Sequence, residues 1–168
     1  IEQASTRVWH DLYLQGNLNE YQEAFWRDKP KEELYDLSTD PYETDNIAFD
    51  QNYLPIKLEL SITLGQWLIA TRDLGIVPEA QRLKMSAGKS PADVFADEKV
   101  LPYKEVLQAA LLSADRSYPD PASILPLLKN PSAEIRYWGA LGTVARGDEA
   151  TKANRDILVP LLADNSPS

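Results

Sequence analysis

Apolar residues recur at helical spacing along most of the chain, and residues that end helices fall between the apolar runs. The first run predicts a helix over residues 6–14, which Gly16 closes with a left-handed cap. Asn17 or Asn19 then offers an N-cap for a short second helix, because their side chains accept bonds from free helical N–H groups. Pro30 ends that helix, since proline cannot continue the backbone hydrogen-bonding pattern.

The middle of the chain predicts a short strand, an ordered loop and a long helix. Polar and apolar residues roughly alternate over residues 33–37, which favours a half-buried strand. Residues 38–46 are rich in side chains that bond their own backbone, so we expect an ordered loop. The longest helix is predicted over residues 52–74, with Pro55 tolerated in its first turn and Gly75 as its C-terminal cap.

From residue 102 onward, short apolar runs at helical spacing alternate with Asn-Pro and Gly-Asp junctions. This pattern predicts antiparallel helix pairs. In one of these helices the buried stripe is expected at Ile135, Trp138, Leu141 and Ala145. The preceding segment has little periodicity, so residues 88–101 are interpreted as a linker.

An internal repeat occupies the last part of the chain. Residues 125–128 read LPLL and residues 159–162 read VPLL, with an offset of 34 residues. Residues 124–145 resemble a HEAT-type repeat, so the chain would hold one full unit and the first helix of a second. Such a repeat buries its apolar face on its neighbours. An uncovered face predicts a protein partner or a weak homodimer through residues 124–162.

Charge and composition narrow the function classes. The first 50 residues carry twelve acidic and four basic residues, and the whole chain has a net charge of −9. Nucleic acid and anionic membrane surfaces are therefore excluded as partners, because both require a basic surface. The absence of cysteine excludes thiolate metal sites, disulfides and thiol nucleophiles, and a single histidine excludes mechanisms that need two imidazoles.

No stretch of the sequence assembles a convincing active site. Ser5, His10 and Asp11 diverge around a helix, so a catalytic triad is not expected. Residues 36–50 lack the regular carboxylate spacing, central glycine and closing glutamate of a calcium loop, and a solvated turn is favoured. Residues 87–90 end like a phosphate-binding loop but lack its first glycine.

The most specific stretch is residues 29–48, which read KPKEELYDLSTDPYETDNIA. They resemble the hallmark near the C-terminus of formylglycine-dependent sulfatases, in which a Pro-x-Glu-Glu-Leu-Tyr-Asp-Leu strand leads into Asp-Pro-x-Glu-x-x-Asn-Leu-Ala. Ile47 replaces the usual leucine. The similarity extends over about residues 7–85.

The resemblance implies a parent enzyme that hydrolyses sulfate esters or sulfamates with a formylglycine and a calcium ion. The formylglycine arises in a Cys/Ser-x-Pro/Ala-x-Arg motif, and in this chain Ser117 comes nearest but has Pro121 in the arginine position. Calcium and formylglycine are thus implied for the parent catalytic domain. No catalytic, cofactor-binding or metal-binding residue is assigned to this chain, and its substrate-binding residues are unknown.

The sequence therefore predicts a mainly α chain in three parts. Residues 1–87 are predicted to form the end of a sulfatase C-terminal subdomain, with helices and at most a short strand. Residues 88–101 are predicted to form a linker, and residues 102–168 a truncated HEAT-like segment. We expect a C-terminal, non-catalytic fragment of a bacterial sulfatase of sulfated glycans or aryl sulfates, which supports a missing N-terminal catalytic domain. The alternative is a non-enzymatic helical-repeat interaction scaffold.

Two expectations concern the parent protein. The chain starts at Ile1 without an initiator methionine or a signal segment, which predicts that it is a piece of a longer protein. The resemblance implies a periplasmic or secreted parent. No membrane contact is expected, because no apolar run approaches the ~20 residues that span a bilayer.

Overall fold

The computed structural model describes residues 3–117 and 120–166, and these residues are mainly helical, as predicted. Its α-helices are α1 (Ala4–Leu14), α2 (Glu20–Glu23), α3 (Leu54–Thr71), α4 (Glu79–Ser86), α5 (Pro91–Val94), α6 (Tyr103–Ala114), α7 (Ala133–Val144), α8 (Asp148–Ala153) and α9 (Arg155–Leu158). Short 3₁₀ helices cover Ile47–Phe49, Gln51–Tyr53, Leu74–Ile76, Pro121–Ser123, Leu125–Lys129 and Val159–Ala163. The chain divides into two compact units, residues 1–57 and 58–168.

The N-terminal turns of the first unit follow the sequence closely. Gly16 has φ +68°, and the N–H of Asn17 donates to the carbonyl of Leu12 at 3.0 Å, so α1 ends in the predicted left-handed cap. Asn19 caps α2 through a reciprocal pair of bonds with Gln22. Both predictions are confirmed because these caps depend on neighbouring residues alone.

The strand predicted over residues 33–37 is wrong: the segment is extended but forms no sheet with any described residue. Its backbone is paired at Leu34, whose N–H donates to Asn46 Oδ1 at 3.0 Å and whose carbonyl accepts from the N–H of Ile47 at 2.9 Å. A single extended segment has no ladder, so a loop that returns beside it satisfies these groups instead.

Helix α3 ends at Thr71, three residues before the predicted end at residue 74 and four before the predicted cap at Gly75. Arg72 takes the left-handed conformation (φ +49°), and the N–H of Asp73 donates to the carbonyl of Leu68 at 3.3 Å. Such a conformation strains any residue that has a Cβ atom. The strain at Arg72 is offset by its side chain, which donates to the carbonyls of Phe95 and Leu101.

Helix α3 is also apolar on all its sides, and none of its residues is buried. Leu68 is half-buried against the core of the second unit, and the other eight large apolar side chains are each between 38% and 59% exposed: Leu54, Ile56, Leu58, Leu60, Ile62, Leu64, Trp67 and Ile69. A helix that is apolar all round is normally covered by neighbours. The helix therefore presents an uncovered apolar surface.

The second unit has its own core, built on Val77, Tyr103 and Val106. Phe95 and Leu101 belong to the same core and are fully buried, so the predicted linker, residues 88–101, contributes core side chains. Helix α5 also forms within this segment, where little periodicity predicted no regular structure. The domain boundaries at residues 87 and 102 stay a prediction.

Helix α7 packs with a face rotated from the predicted one. Leu141 is 42% exposed, Ala145 is exposed and Trp138 is half-buried, its indole N–H donating to the carbonyl of Ile76 at 2.9 Å. The buried face holds Ile135, Gly139, Gly142 and Thr143. The reason is close approach, because a Cβ at Gly142 would lie 2.8 Å from Ser113 Cβ on α6.

Two glycine substitutions should move stability in opposite directions. Gly142→Ala forces a methyl group into the backbone and side chain of Ser113, and overpacking of this kind costs ~1–3 kcal/mol, less the helical gain of alanine. Gly65→Ala in α3 meets nothing within 4 Å and should stabilise by up to ~1 kcal/mol. Urea unfolding of both variants measures the two changes in the free energy of unfolding. Changes of the same sign and size would contradict this packing.

The internal repeat recurs as local structure with the same offset of 34 residues. Leu125–Lys129 and Val159–Ala163 are both 3₁₀ helices with proline near the start. Each leads into a turn in which a side-chain oxygen, from Asn130 or Asp164, accepts from the N–H of Ser132 or Ser166 at 2.9 Å. The two segments therefore share one turn geometry, while the HEAT-like identity stays a prediction.

Arg136 ties the two repeated turns together. Its guanidinium donates to both carboxylate oxygens of Asp164, at 2.7 and 2.8 Å, and to the carbonyls of Asn130 and Pro131. The hydrogen bonds from Arg136, and then those from Ser166, hold the pKa of Asp164 well below its ordinary value of 3.8. The pair is a planar two-bond contact that lysine could not reproduce.

The pair predicts an acid-sensitive contribution to stability. Because the folded-state pKa of Asp164 is depressed, the contribution is full above the unfolded pKa of about 4 and is lost progressively as pH falls from there through the depressed folded-state pKa. We expect Asp164→Asn to lower the free energy of unfolding by ~2 kcal/mol at pH 7, and by a smaller amount at pH 3. Urea titrations at both values test this, and an equal loss at pH 3 and pH 7 would count against it.

Candidate functional site

The sulfatase-like stretch, residues 29–48, lines one side of a cleft of about 920 Å³ within the first unit. The remaining lining residues belong to α2 and to residues 24–28, which follow it. Tyr21 and Tyr42 expose their rings, while Tyr35 is half-buried. Burial raises the pKa of Tyr35, and the nearby Glu33 raises it further. The cleft is thus the candidate site that the resemblance singles out.

The aspartates of this stretch are engaged with the backbone. Asp40 Oδ2 accepts from the N–H groups of Thr44 and Asp45 at 2.8 Å each, and Asp36 Oδ1 accepts from Ser38 N–H at 3.0 Å and Oγ–H at 2.6 Å. These bonds lower the pKa of both carboxyls, led by Asp45 N–H for Asp40 and by the Ser38 hydroxyl for Asp36. The predicted ordered loop is confirmed.

Asn46 plays the central part in this loop. A single atom, its Oδ1, accepts from the N–H of Leu34 and from the N–H of Ala48, both at 3.0 Å. The first bond fixes the extended segment, and the second caps the 3₁₀ helix Ile47–Phe49. Ala48 itself is buried. The polar side chains of Asp36, Asp40 and Asn46, which belong to the hallmark loop (residues 29–48), therefore hold the backbone of that loop in place.

The charges around the cleft do not favour an anion. Five acidic side chains line it, at Glu20, Asp28, Glu33, Glu43 and Asp45, against the two basic side chains of Arg27 and Lys29. Arg27 forms an ion pair with Glu23 at 2.8 Å, and Lys29 Nζ donates to the carbonyl of Ala24 at 2.9 Å. The charge of Arg27 is thus partly neutralised, and the Lys29 ammonium is engaged by a backbone carbonyl. The cleft does not suit sulfate recognition.

The remaining sequence candidates do not gather into a site. The ring of His10 lies 4.7 Å from that of Trp26, in an aromatic cluster with Trp9 and Phe25. Among residues 3–117 and 120–166, no three potential metal-ligating side chains come together. No helix in the described part of the chain is long and apolar enough to cross a bilayer.

A comparison with curated proteins links part of the chain to one enzyme class. The chain is 38% identical over 91 residues to the ulvan-active sulfatase of Formosa agariphila. This chain contains a sulfatase-related region. The match covers 53% of the chain but only 15% of that sulfatase. No family model matches the chain, and no solved structure matches it either.

Proposed function

We propose that this chain is a C-terminal, non-catalytic part of a sulfatase, which supports the catalytic domain. The relationship over 91 residues supports the class, and the bonding of the hallmark loop supports the role. Side-chain oxygen atoms of Asp36, Asp40 and Asn46 accept hydrogen bonds from backbone N–H groups. In this proposal these side chains support the loop and do not react with substrate. The observation that carries the proposal is this engagement of Asp36, Asp40 and Asn46 with the backbone of the loop.

The calcium and formylglycine of such an enzyme belong to the catalytic domain in this proposal. The carboxylates of the described residues do not fit a calcium ion, because no three potential ligands come together among these residues and those of Asp36 and Asp40 accept bonds from the loop backbone. The catalytic domain is instead proposed as the cover for α3, on which eight of the nine large apolar side chains are exposed. Residues 1–87 would form the sulfatase part, with residues 88–101 leading to the repeats.

The substrate class follows from the relative alone. That sulfatase is named as active on ulvan, and we propose that the parent of this chain also acts on a sulfated polysaccharide. A polysaccharide substrate lies outside the cell, so the parent is proposed to be exported to the periplasm or the medium.

The experiment is expression of the complete open reading frame that encodes this chain, together with a formylglycine-generating enzyme. Sulfate release from ulvan oligosaccharides and from an aryl sulfate is then measured. We expect turnover of at least one of them, and turnover of ulvan would support the polysaccharide class. A folded, formylglycine-containing protein that releases sulfate from neither would overturn the proposal.

A second function is favoured by a different observation. The second of the two repeated turns, Val159–Ala163, borders an apolar groove on α7, which suits a helical-repeat interaction scaffold. A scaffold role and a sulfatase role can reside in different parts of the chain. Deletion of the repeats from the complete enzyme separates them, because the sulfatase role predicts that sulfate release persists.

A further inference from the structure

Two equivalent leucines of the internal repeat have opposite environments. Leu128 is 3% exposed, whereas Leu162, its counterpart 34 residues later, is 88% exposed. The backbone around them is alike, since each lies in a 3₁₀ helix that ends in the same side-chain-supported turn. The difference must therefore come from what packs on each leucine.

Leu128 is covered by α7. A Cβ added to Gly139 would lie 3.2 Å from Leu128 Cδ2 and 2.9 Å from Leu127 Cβ, so the α7 backbone rests directly on this leucine pair. The glycine is what permits that approach. At the second turn, the corresponding pair Leu161 and Leu162 lines an open groove of about 450 Å³.

The groove has an apolar floor and one cationic side chain on its edge. Leu141 and Val144 of α7 form one wall, and Leu158 with Val159 forms part of the other. Arg136 and Asp164 also line the groove, but they neutralise each other. Arg155 lines the groove and is exposed, with no ion pair to any residue in the described ranges. An occupant with an acidic group beside Arg155 would complement it.

We propose that this groove binds an amphipathic helix of the α7 kind, supplied from outside these 168 residues. The helix presents a glycine or alanine to Leu161 and Leu162, as Gly139 does to Leu127 and Leu128. Its apolar stripe covers Leu141 and Val144, and an acidic residue meets Arg155. The proposal does not depend on the sulfatase assignment, because it rests on the repeat geometry of the second unit.

The test uses the whole chain and a fluorescein-labelled peptide with the sequence of residues 131–146, which contains α7 and Glu134. Fluorescence anisotropy should show saturable binding, with Kd on the order of micromolar to tens of micromolar. Leu162→Asp should weaken binding at least ~10-fold, because it places a charge on the apolar floor. Leu162 is almost fully exposed, so this variant is expected to fold normally.

Controls decide between this proposal and its competitors. Leu83→Asp changes another exposed leucine, on α4 and outside the groove, and should leave the affinity unchanged. A peptide with leucine in place of Gly139 should bind at least ~10-fold more weakly, because it cannot approach the leucine pair. Absence of saturable binding, or binding that Leu162→Asp leaves intact, would overturn the proposal. Sedimentation showing a dimer that Leu162→Asp dissolves would also overturn it, since a second copy would then fill the groove.

Discussion

Replacing Arg72 with alanine is expected to lower the free energy of unfolding by about 3 kcal/mol. The guanidinium donates twice to the carbonyl of Phe95, once to that of Leu101 and once to Glu98 at 2.6 Å. The two carbonyls belong to residues that are fully buried in the core of the second unit. Without Arg72 they lose charged donors, and each such loss costs ~1–3 kcal/mol.

The backbone of Arg72 supplies a matched control. Arg72→Gly loses the same hydrogen bonds as Arg72→Ala, but glycine adopts φ +49° without strain. We therefore expect the glycine variant to be more stable than the alanine variant by ~1 kcal/mol. Urea unfolding of both variants measures the difference. An alanine variant as stable as the unmodified chain would show that the side chain does not hold the 95–101 segment.

Replacing Asn46 with alanine is expected to lower the stability of the hallmark loop by about 2 kcal/mol. The change leaves the N–H groups of Leu34 and Ala48 without their shared acceptor in a half-buried setting. Native-state hydrogen exchange at these two amides reports the loss directly. Exchange should accelerate by ~10- to 30-fold, because 1.4 kcal/mol corresponds to a factor of ten.

Asn46→Asp separates a supporting role from a chemical one. Both hydrogen bonds end on Oδ1, and aspartate keeps an oxygen acceptor there, so we expect near-native exchange protection. In the complete sulfatase that we propose, the same variant should retain kcat while Asn46→Ala loses folded protein. A normal fold with a collapsed kcat for Asn46→Asp would instead indicate that the amide group takes part in catalysis.

The features that the sequence predicted well are those fixed by near neighbours. The cap at Gly16, the N-cap at Asn19 and the ordered loop around Asp40 all join residues within about five positions. Local hydrogen bonding decides such features, and the residue types that make them are few. The mainly α class follows from periodicity in the same way.

The features that it missed depend on distant partners. Gly75 looked like the end of α3, but Arg72 ends it because carbonyls 23 and 29 residues away hold its side chain. The 33–37 segment alternates like a strand, yet Asn46 and Ile47 meet its backbone and no other strand does so among the described residues. Alternation of polar and apolar residues indicates that the two sides of a segment differ in exposure to solvent. It carries no information about which strand, if any, pairs with the segment.

The buried face of α7 was mispredicted for a related reason. Large apolar residues predicted the stripe Ile135, Trp138, Leu141 and Ala145, whereas the close contacts are made at Gly139 and Gly142. A pattern of hydrophobic residues does not reveal a glycine that allows close packing because it has no side chain. The signal for the buried face that the sequence did contain is a pair of small residues, three positions apart, within an apolar helix.

The measurement that tests the central claim most directly is a sulfatase assay of the 168-residue chain itself. The chain is purified from a host without endogenous sulfatase, supplied with calcium and incubated with an aryl sulfate at high enzyme concentration. The account predicts no sulfate release above a no-protein blank, because the hallmark side chains support a loop and the chain holds no formylglycine motif. Sulfate release that increases with the amount of this chain, and that persists through further purification, would contradict it.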